Sequence, residues 1–259
     1  MAHRGKVLLA VVALIVAAGC GLTGKDNSGT AAAPTVPASS EPTFDLVTDP
    51  PTEEPTVEPS PSKTKPKTAE PTQPAFWSQL PDCAHYDKTK AVAKSKVKST
   101  LKSAAARTYW NTEAPQLKLN YPLVKAVAWQ ESGWQSNIHN CDGGAGIMQV
   151  MPNTVDMINN RFGLDYDPAN YQDNAYVGAN YLAWLTKWVG DNYFKSTKYN
   201  LSTGKCKTVT SWCLLNVVIS GYNVGQGGIE AAARSKTLPN PEYVAAVRSL
   251  MSRCQCDKY

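Results

Sequence analysis

The sequence has no apolar run long enough to cross a bilayer, no internal repeat, and almost no alternation of apolar and polar residues. The apolar stretch from Val7 to Ala18 falls well short of the about 20 residues that a membrane-spanning helix needs. Without alternation there is little material for half-buried strands, apart from a short hairpin that Cys206 and Cys213 are placed to close. Histidine is scarce, with three in 259 residues, and neither His85 nor His139 stands near a nucleophile in a recognisable pattern. Both read as ordinary surface or satisfied histidines, which removes histidine-activated nucleophiles from consideration. Charge of one sign is also lacking, since 26 basic against 21 acidic residues leave only +5.

What the apolar stretch does fit is an export signal. Arg4 and Lys6 precede it, and Gly19-Cys20 follow it. Small residues directly before a cysteine resemble a bacterial lipobox, in which the cysteine is lipidated and becomes the mature N-terminus, although Ala17 stands where Leu is more usual. Residues 1–19 are therefore expected to be a lipoprotein signal peptide with Cys20 as the lipidation site. A plain secretory signal with an incidental Cys20 is the alternative. Two or more acyl chains would hold the protein on a membrane stably.

Residues 20–75 are dense in Pro, Thr, Ser and Glu and carry no apolar period. Such a segment buries too little surface to offset its chain entropy, so a disordered tether is expected, extended at about 3 Å per residue. Residues 76–259 remain, enough for one domain with its own core. That part holds Cys83, Cys141, Cys206, Cys213, Cys254 and Cys256, an even set that in an exported chain reads as up to three disulfides. Cys206 pairs naturally with Cys213, while Cys254 and Cys256 stand close enough together that each is expected to reach back to Cys83 or Cys141. A metal site from Cys141, His139 and Cys254 or Cys256 is conceivable, but the spacing does not match a zinc motif, and no metal or other cofactor is expected.

The folded part reads as mainly α. Residues 87–110 place Ala93, Val97, Leu101, Ala104 and Thr108 on one face with lysines around the rest. The simplest reading is a solvated basic face; weak attraction to envelope polyanions or lipid head groups is the sharper one, and nucleic acid is not expected outside the cytoplasm. A second helix starts at a capping Asn174 with Gly178, Leu182, Leu185 and Val189 on one side; a third starts at Ser211; a fourth has Asn240 as cap, Pro241 in its first turn and a stripe through Tyr243, Val247 and Met251.

The segment "LVKAVAWQESGWQSN", residues 123–137, carries the chemistry. Pro122 opens a helix that Gly133 stops, and Leu123, Val124 and Val127 form its core stripe. Glu131 continues that stripe, following Val127 by four residues and Val124 by seven. Desolvation and the negative helix end both favour its protonated form, which is what general-acid catalysis of glycosidic cleavage requires. A Glu satisfied by Ser132, Lys125 or a buried Arg is the structural alternative, and burial alone does not choose. Asp142, Asp156, Asp165 and Asp167 lie nearby in sequence as possible second carboxylates, each more simply a loop or capping residue. Trp129 and Trp134 bracket Glu131 and are open to either sugar stacking or the core, whereas Trp184 and Trp188, at helical spacing, are expected in the core.

Downstream, "CDGGAGIMQVMPNT" at 141–154 is glycine-rich before an apolar Gln-containing run, and "SGYNVGQGG" at 220–228 offers a Tyr and an Asn among glycines. Glu131-Ser132, then Gly146-Ile147-Met148-Gln149-Val150-Met151-Pro152 with Thr154, then Asn174 to Gly178-Ala179 with Tyr181-Leu182, then Gly221-Tyr222-Asn223 with Gly225, resemble in order and spacing the motif series of the lytic transglycosylases related to goose-type lysozyme. The match runs over roughly residues 119–250. Gly221 stands where the family usually has Ala, the gap after Asp167-Pro168 is longer than usual, and the segment Lys198–Cys213 is an insertion.

The resemblance implies a lysozyme-like helical domain that cleaves the bond between N-acetylmuramic acid and N-acetylglucosamine in peptidoglycan and leaves a 1,6-anhydro sugar. It implies Glu131 as acid and then base. Ser132, Gly146, Met148, Gln149, Tyr222, Asn223 and Tyr243 become substrate-binding or orienting residues, with Tyr222 orienting Glu131 and Tyr243 lining the cleft. A monomer is expected, tethered by lipid in the cell envelope with its domain in the extracytoplasmic space. A hydrolytic muramidase of the same fold and a non-catalytic wall-binding lipoprotein are the rival readings.

Overall fold

The computed structural model describes residues 74–259. The expected signal peptide, Cys20 and all but the last two residues of the tether lie outside them.

Nine of the twelve residues of one helix, Tyr121–Ser132 (α2), are buried, and the architecture follows from that fact. Val124, Ala126, Val127 and Ala128 have no exposed surface, so α2 is apolar nearly all round and must run through the centre of the domain. Asn120 caps it, its Oδ1 accepting from the Leu123 N–H at 2.9 Å, so the helix starts one residue before the expected Pro122, and Gly133 ends it as expected, in the left-handed conformation. The Lys125 side chain, buried within this helix, is paired with Asp257 at 2.5 Å.

Five further α-helices complete the domain among the described residues. Lys94–Ala106 (α1) buries Val97, Leu101 and Ala104 as its stripe demands, with Ala93 at the cap position; Thr108 lies beyond its end. Pro152–Phe162 (α3), which the sequence pattern did not mark, buries only Val155 and Ile158. Tyr171–Val189 (α4) buries Gly178, Leu182, Leu185 and Val189 as expected. Leu214–Ala232 (α5) is interrupted at Gly225, and Pro241–Ser252 (α6) follows Asn240. α2 packs against α1 and α6, α4 against α1, α3 and α5, and α5 against α6. The mainly helical class inferred from sequence is the class observed.

Three local expectations are corrected. Asn174 does not cap α4; Asn170 does, accepting from the N–H groups of Gln172 and Asp173, and Asn174 is fully buried one turn in. α5 begins at Leu214 rather than after Ser211, because the Ser211 hydroxyl bonds instead to Thr208. The segment between Cys206 and Cys213 is irregular and not a hairpin. Among the described residues the only sheet pairs His85–Tyr86 (β1) with Ile138–His139 (β2), antiparallel, in the register His85 opposite His139.

All six cysteines of the domain are bonded. Cys206 joins Cys213 as expected, but Cys83 joins Cys141, and Cys254 joins Cys256. The prediction that Cys254 and Cys256 reach back separately fails because the chain leaves Cys254 extended and turns at once through Gln255–Lys258. That turn brings the two Cα atoms to 5.0 Å, an ordinary separation for a bridge. Cys83–Cys141 flanks the small sheet and fastens the N-terminal segment to the loop that follows β2. With these cysteines paired, none is left as a thiolate for the conceivable metal set.

Candidate active site

Glu131 occupies the last turn of α2, and its carboxyl is met from α6: Tyr243 donates its hydroxyl hydrogen to Oε1. The Glu131 side chain is half-buried, yet the protein around the carboxyl strips enough water to push its pKa from 4.5 to about 7. Burial is the larger cause; the Tyr243 hydrogen bond opposes it by favouring the ionised form. Tyr243 itself is 3% exposed, and its hydroxyl is held well above the ordinary phenol range by burial and by the neighbouring carboxylate.

The other groups able to satisfy Glu131 are engaged elsewhere. Lys125 pairs with Asp257, Arg248 donates to Asn216, and the fully buried Ser132 donates to the carbonyls of Ala128 at 3.1 Å and Ile147 at 2.7 Å. Asp142, Asp156, Asp165 and Asp167 are all exposed, and no carboxylate is among the groups that shift the Glu131 pKa. Glu131 is an acid without a second carboxylate coupled to it.

Next to this acid the segment 138–151 folds into a tight loop whose backbone is held by side chains from three helices. Ser132 of α2 holds the Ile147 carbonyl. Asn174 of α4 accepts from the Met148 N–H at 2.9 Å and donates to the carbonyls of Ala145 and Pro168 at 2.8 and 3.0 Å. Tyr222 of α5 donates to the Met148 carbonyl at 2.8 Å. Gln149, 6% exposed and in the left-handed region, donates from Nε2 to Ile138 and Gly146 carbonyls at 3.0 and 2.8 Å. The glycines permit the close approach. A Cβ on Gly178 would lie 2.5 Å from the Met148 side chain, and one on Gly146 2.5 Å from the Asn174 amide.

The structure thus brings Ser132, the Gly146–Gln149 run, Asn174, Gly178 and Tyr222 together beside Glu131 but redistributes their work. Tyr222, expected to orient Glu131, instead holds the loop; it still stands close enough that the Glu131 charge adds to the burial that raises its own pKa. Tyr243, expected only to line the cleft, is the residue that contacts the acid. Ser132, Met148 and Gln149 are buried, and the donors of Ser132 and Gln149 bond to carbonyls of the loop. Asn223 is exposed and accepts from Asn240 at 2.8 Å. Asn240 is in turn hydrogen-bonded to Ser220, so this relay ties α5 to the start of α6, where Tyr243 sits. The sequence places Asn174 in the motif series as well as at an expected cap, whereas it offers Asn240 only as a cap, and the Asn240 side chain makes no cap hydrogen bond.

The aromatic expectations also divide. Trp129 and Trp134 belong to the core, 6% and 0% exposed, with the Trp134 indole donating to the Lys125 carbonyl. Trp184 and Trp188, expected inside, pack on the core rim and remain partly exposed. His139 pairs with Asp87 at 2.9 Å and stacks on His85, at the sheet.

The sequence model of the family described as the transglycosylase SLT domain matches residues 108–241, which include every residue of this constellation except Tyr243. The soluble lytic murein transglycosylase of Escherichia coli K12 is 26% identical over 147 residues, and that of Salmonella typhimurium 29% over the same length; each alignment covers 54% of this chain and 21% of the relative. The membrane-bound lytic murein transglycosylase F of Pseudomonas fluorescens is 30% identical over 105 residues, 37% of this chain and 20% of the relative. The chain therefore spans about a fifth of the length of these curated relatives. No solved structure matches the chain.

Proposed function

Because the chain belongs to the transglycosylase SLT family, we propose that it is a peptidoglycan lytic transglycosylase in which Glu131 alone serves as acid and then as base. The observation that carries this reading is the half-buried Glu131 carboxyl, with its pKa raised to about 7 and Tyr243 on Oε1. In the protonated state Glu131 donates its proton to the glycosidic oxygen of the bond between N-acetylmuramic acid and N-acetylglucosamine. The C1–O bond breaks, and the N-acetylglucosamine O4 leaves as a hydroxyl. The C6 hydroxyl of the muramyl residue then attacks C1, and its proton passes to the Glu131 carboxylate, which restores the starting acid. The products are a 1,6-anhydromuramyl end and a free 4-hydroxyl, and no water is consumed.

Electrostatics supports each half of the cycle. A pKa near the working pH lets one group give a proton and take it back. An internal hydroxyl held beside C1 has a high effective molarity and competes well with water. A water-activating partner carboxylate, which inverting hydrolysis requires, is not coupled to Glu131. The names of the relatives support murein as substrate, and the lipobox-like sequence pattern ending at Cys20, followed by a Pro- and Thr-rich segment, supports placement in the cell envelope on a lipid anchor.

Digestion of purified sacculi with the wild type and with Glu131→Gln tests the reading. The expected result is soluble fragments ending in anhydromuramic acid, one water lighter than reducing ends, from the wild type only. Reducing ends would make the protein a muramidase. Wall binding without fragments, the same in both proteins, would make it a non-catalytic wall-binding protein.

A further inference from the structure

We propose that a single file of aromatic side chains carries the glycan cleft away from Glu131 and holds further sugars of the same strand; this rests on the transglycosylase reading above. The file starts at Tyr222, whose hydroxyl fixes the Met148 carbonyl beside the acid. From there Tyr181 follows at 5.5 Å between ring centres, Trp184 at 5.9 Å, Trp188 at 6.0 Å, Tyr193 at 5.4 Å and Trp212 at 6.3 Å. Tyr181, Trp184 and Trp188 come from one edge of α4, at spacings of three and four, and the two tryptophan rings are parallel to within 1°.

Three observations argue for a polymer track rather than a core rim. Each of the six rings packs on the core yet keeps solvent-exposed surface. Each meets its neighbours in the file and, among the described residues, no other aromatic ring, so the exposed surface is a line and not a patch. The indole N–H groups of Trp184, Trp188 and Trp212 donate to no acceptor among the described residues, and whereas the equally unpaired Trp110 is buried, these three rings reach solvent. A pyranose presents C–H faces edged by hydroxyls, which is the complement of an aromatic surface carrying unpaired donors. A linear surface that begins at the acid suits a linear polysaccharide, and the file is longer than one sugar ring. Its far end belongs to this chain's own insertion. Trp212 directly precedes Cys213, and the bond from Cys213 to Cys206 fixes the segment that presents it.

The test compares cleavage of a tetrasaccharide fragment of the wall glycan with cleavage of long uncrosslinked strands, for the wild type, Trp188→Ala, Trp212→Ala and Trp212→Tyr. The wild type is expected to prefer long strands, measured as the ratio of the two kcat/KM values. Each alanine variant should lower that ratio about three- to tenfold through KM on the long substrate, and Trp212→Tyr, which keeps a ring, should restore most of it. A ratio unchanged in both alanine variants overturns the proposal. Binding of long strands to Glu131→Gln, with and without Trp188→Ala, gives a readout that does not depend on turnover. If the wild type releases no fragments, the transglycosylase reading falls by itself. Binding weakened by Trp188→Ala then still supports a glycan track, and unchanged binding removes it.

Discussion

Tyr243 donates a hydrogen bond to Oε1 of Glu131 across 112 residues of sequence, joining the last turn of α2 to the first turn of α6. The bond has a direction in energy as well as in space. It favours the ionised carboxylate and so holds the Glu131 pKa below the value that burial alone would impose.

Tyr243→Phe therefore raises the Glu131 pKa above about 7. The alkaline limb of kcat/KM, which follows loss of the proton-donating form, should move to higher pH by about one unit. The rate at neutral pH should fall about tenfold, because an unanchored carboxyl is less often in line with the bond. A pH–rate profile of the purified variant decides the matter, and a limb that stays in place or moves to lower pH would contradict the assignment.

Glu131→Gln should stabilise the fold, and only on one side of the pH scale. The folded pKa of about 7 lies above the unfolded value of 4.5. Below pH 4.5 both states hold the proton and the wild type has its full stability. Between 4.5 and about 7 the unfolded chain ionises first and gains, so the wild type loses stability as pH rises, to at most about 3 kcal/mol above 7. Glutamine carries no such dependence. The variant should melt higher than the wild type at pH 8, with the gap closing by pH 4; equal gaps at both pH values would refute a Glu131 pKa raised by the fold.

Much of this was legible in the sequence because a buried helix and its stop leave a strong signature. Leu123, Val124 and Val127, with Pro122 and Gly133 at the ends, place Glu131 on the core side of the helix. The partner of Glu131 was less legible. Hydrogen bonds such as Tyr243 to Glu131 depend on how α2 and α6 cross, which no local pattern encodes. Asn174 shows the same limit, since an Asn ahead of a helical run satisfies capping rules equally well whether its amide faces the first turn or a distant loop. Cys254 and Cys256 were misread because sequence distance was taken for geometry. α3 escaped notice because two buried residues in eleven make too thin a stripe.

The anchor can be checked separately from the chemistry. Cys20→Ser removes the only thiol at the expected processing site, and a chain without acyl groups keeps no stable hold on a bilayer. The variant should appear in the soluble fraction of fractionated cells and show no incorporation of labelled fatty acid. Tight membrane association of Cys20→Ser would contradict lipidation as the means of attachment.

Asn174 gives the sharpest test of how the loop beside Glu131 is held. Its Oδ1 accepts the Met148 N–H, and its Nδ2 serves the carbonyls of Ala145 and Pro168, all within a site that has no exposed surface at Asn174. Asn174→Ala leaves one donor and two acceptors buried without partners and should cost about 2–4 kcal/mol by denaturant unfolding. Asn174→Asp keeps the acceptor for Met148 but loses both donations and sets a carboxylate against two carbonyl oxygens. Its penalty should therefore shrink as the pH falls and the acid regains a hydrogen to donate. Activity should fall in step with stability in both variants, while the pH at which Glu131 titrates stays close to that of the wild type. A variant with wild-type stability would mean that the loop is held by other means, and that the Asn in this motif does something other than close the backbone around Met148.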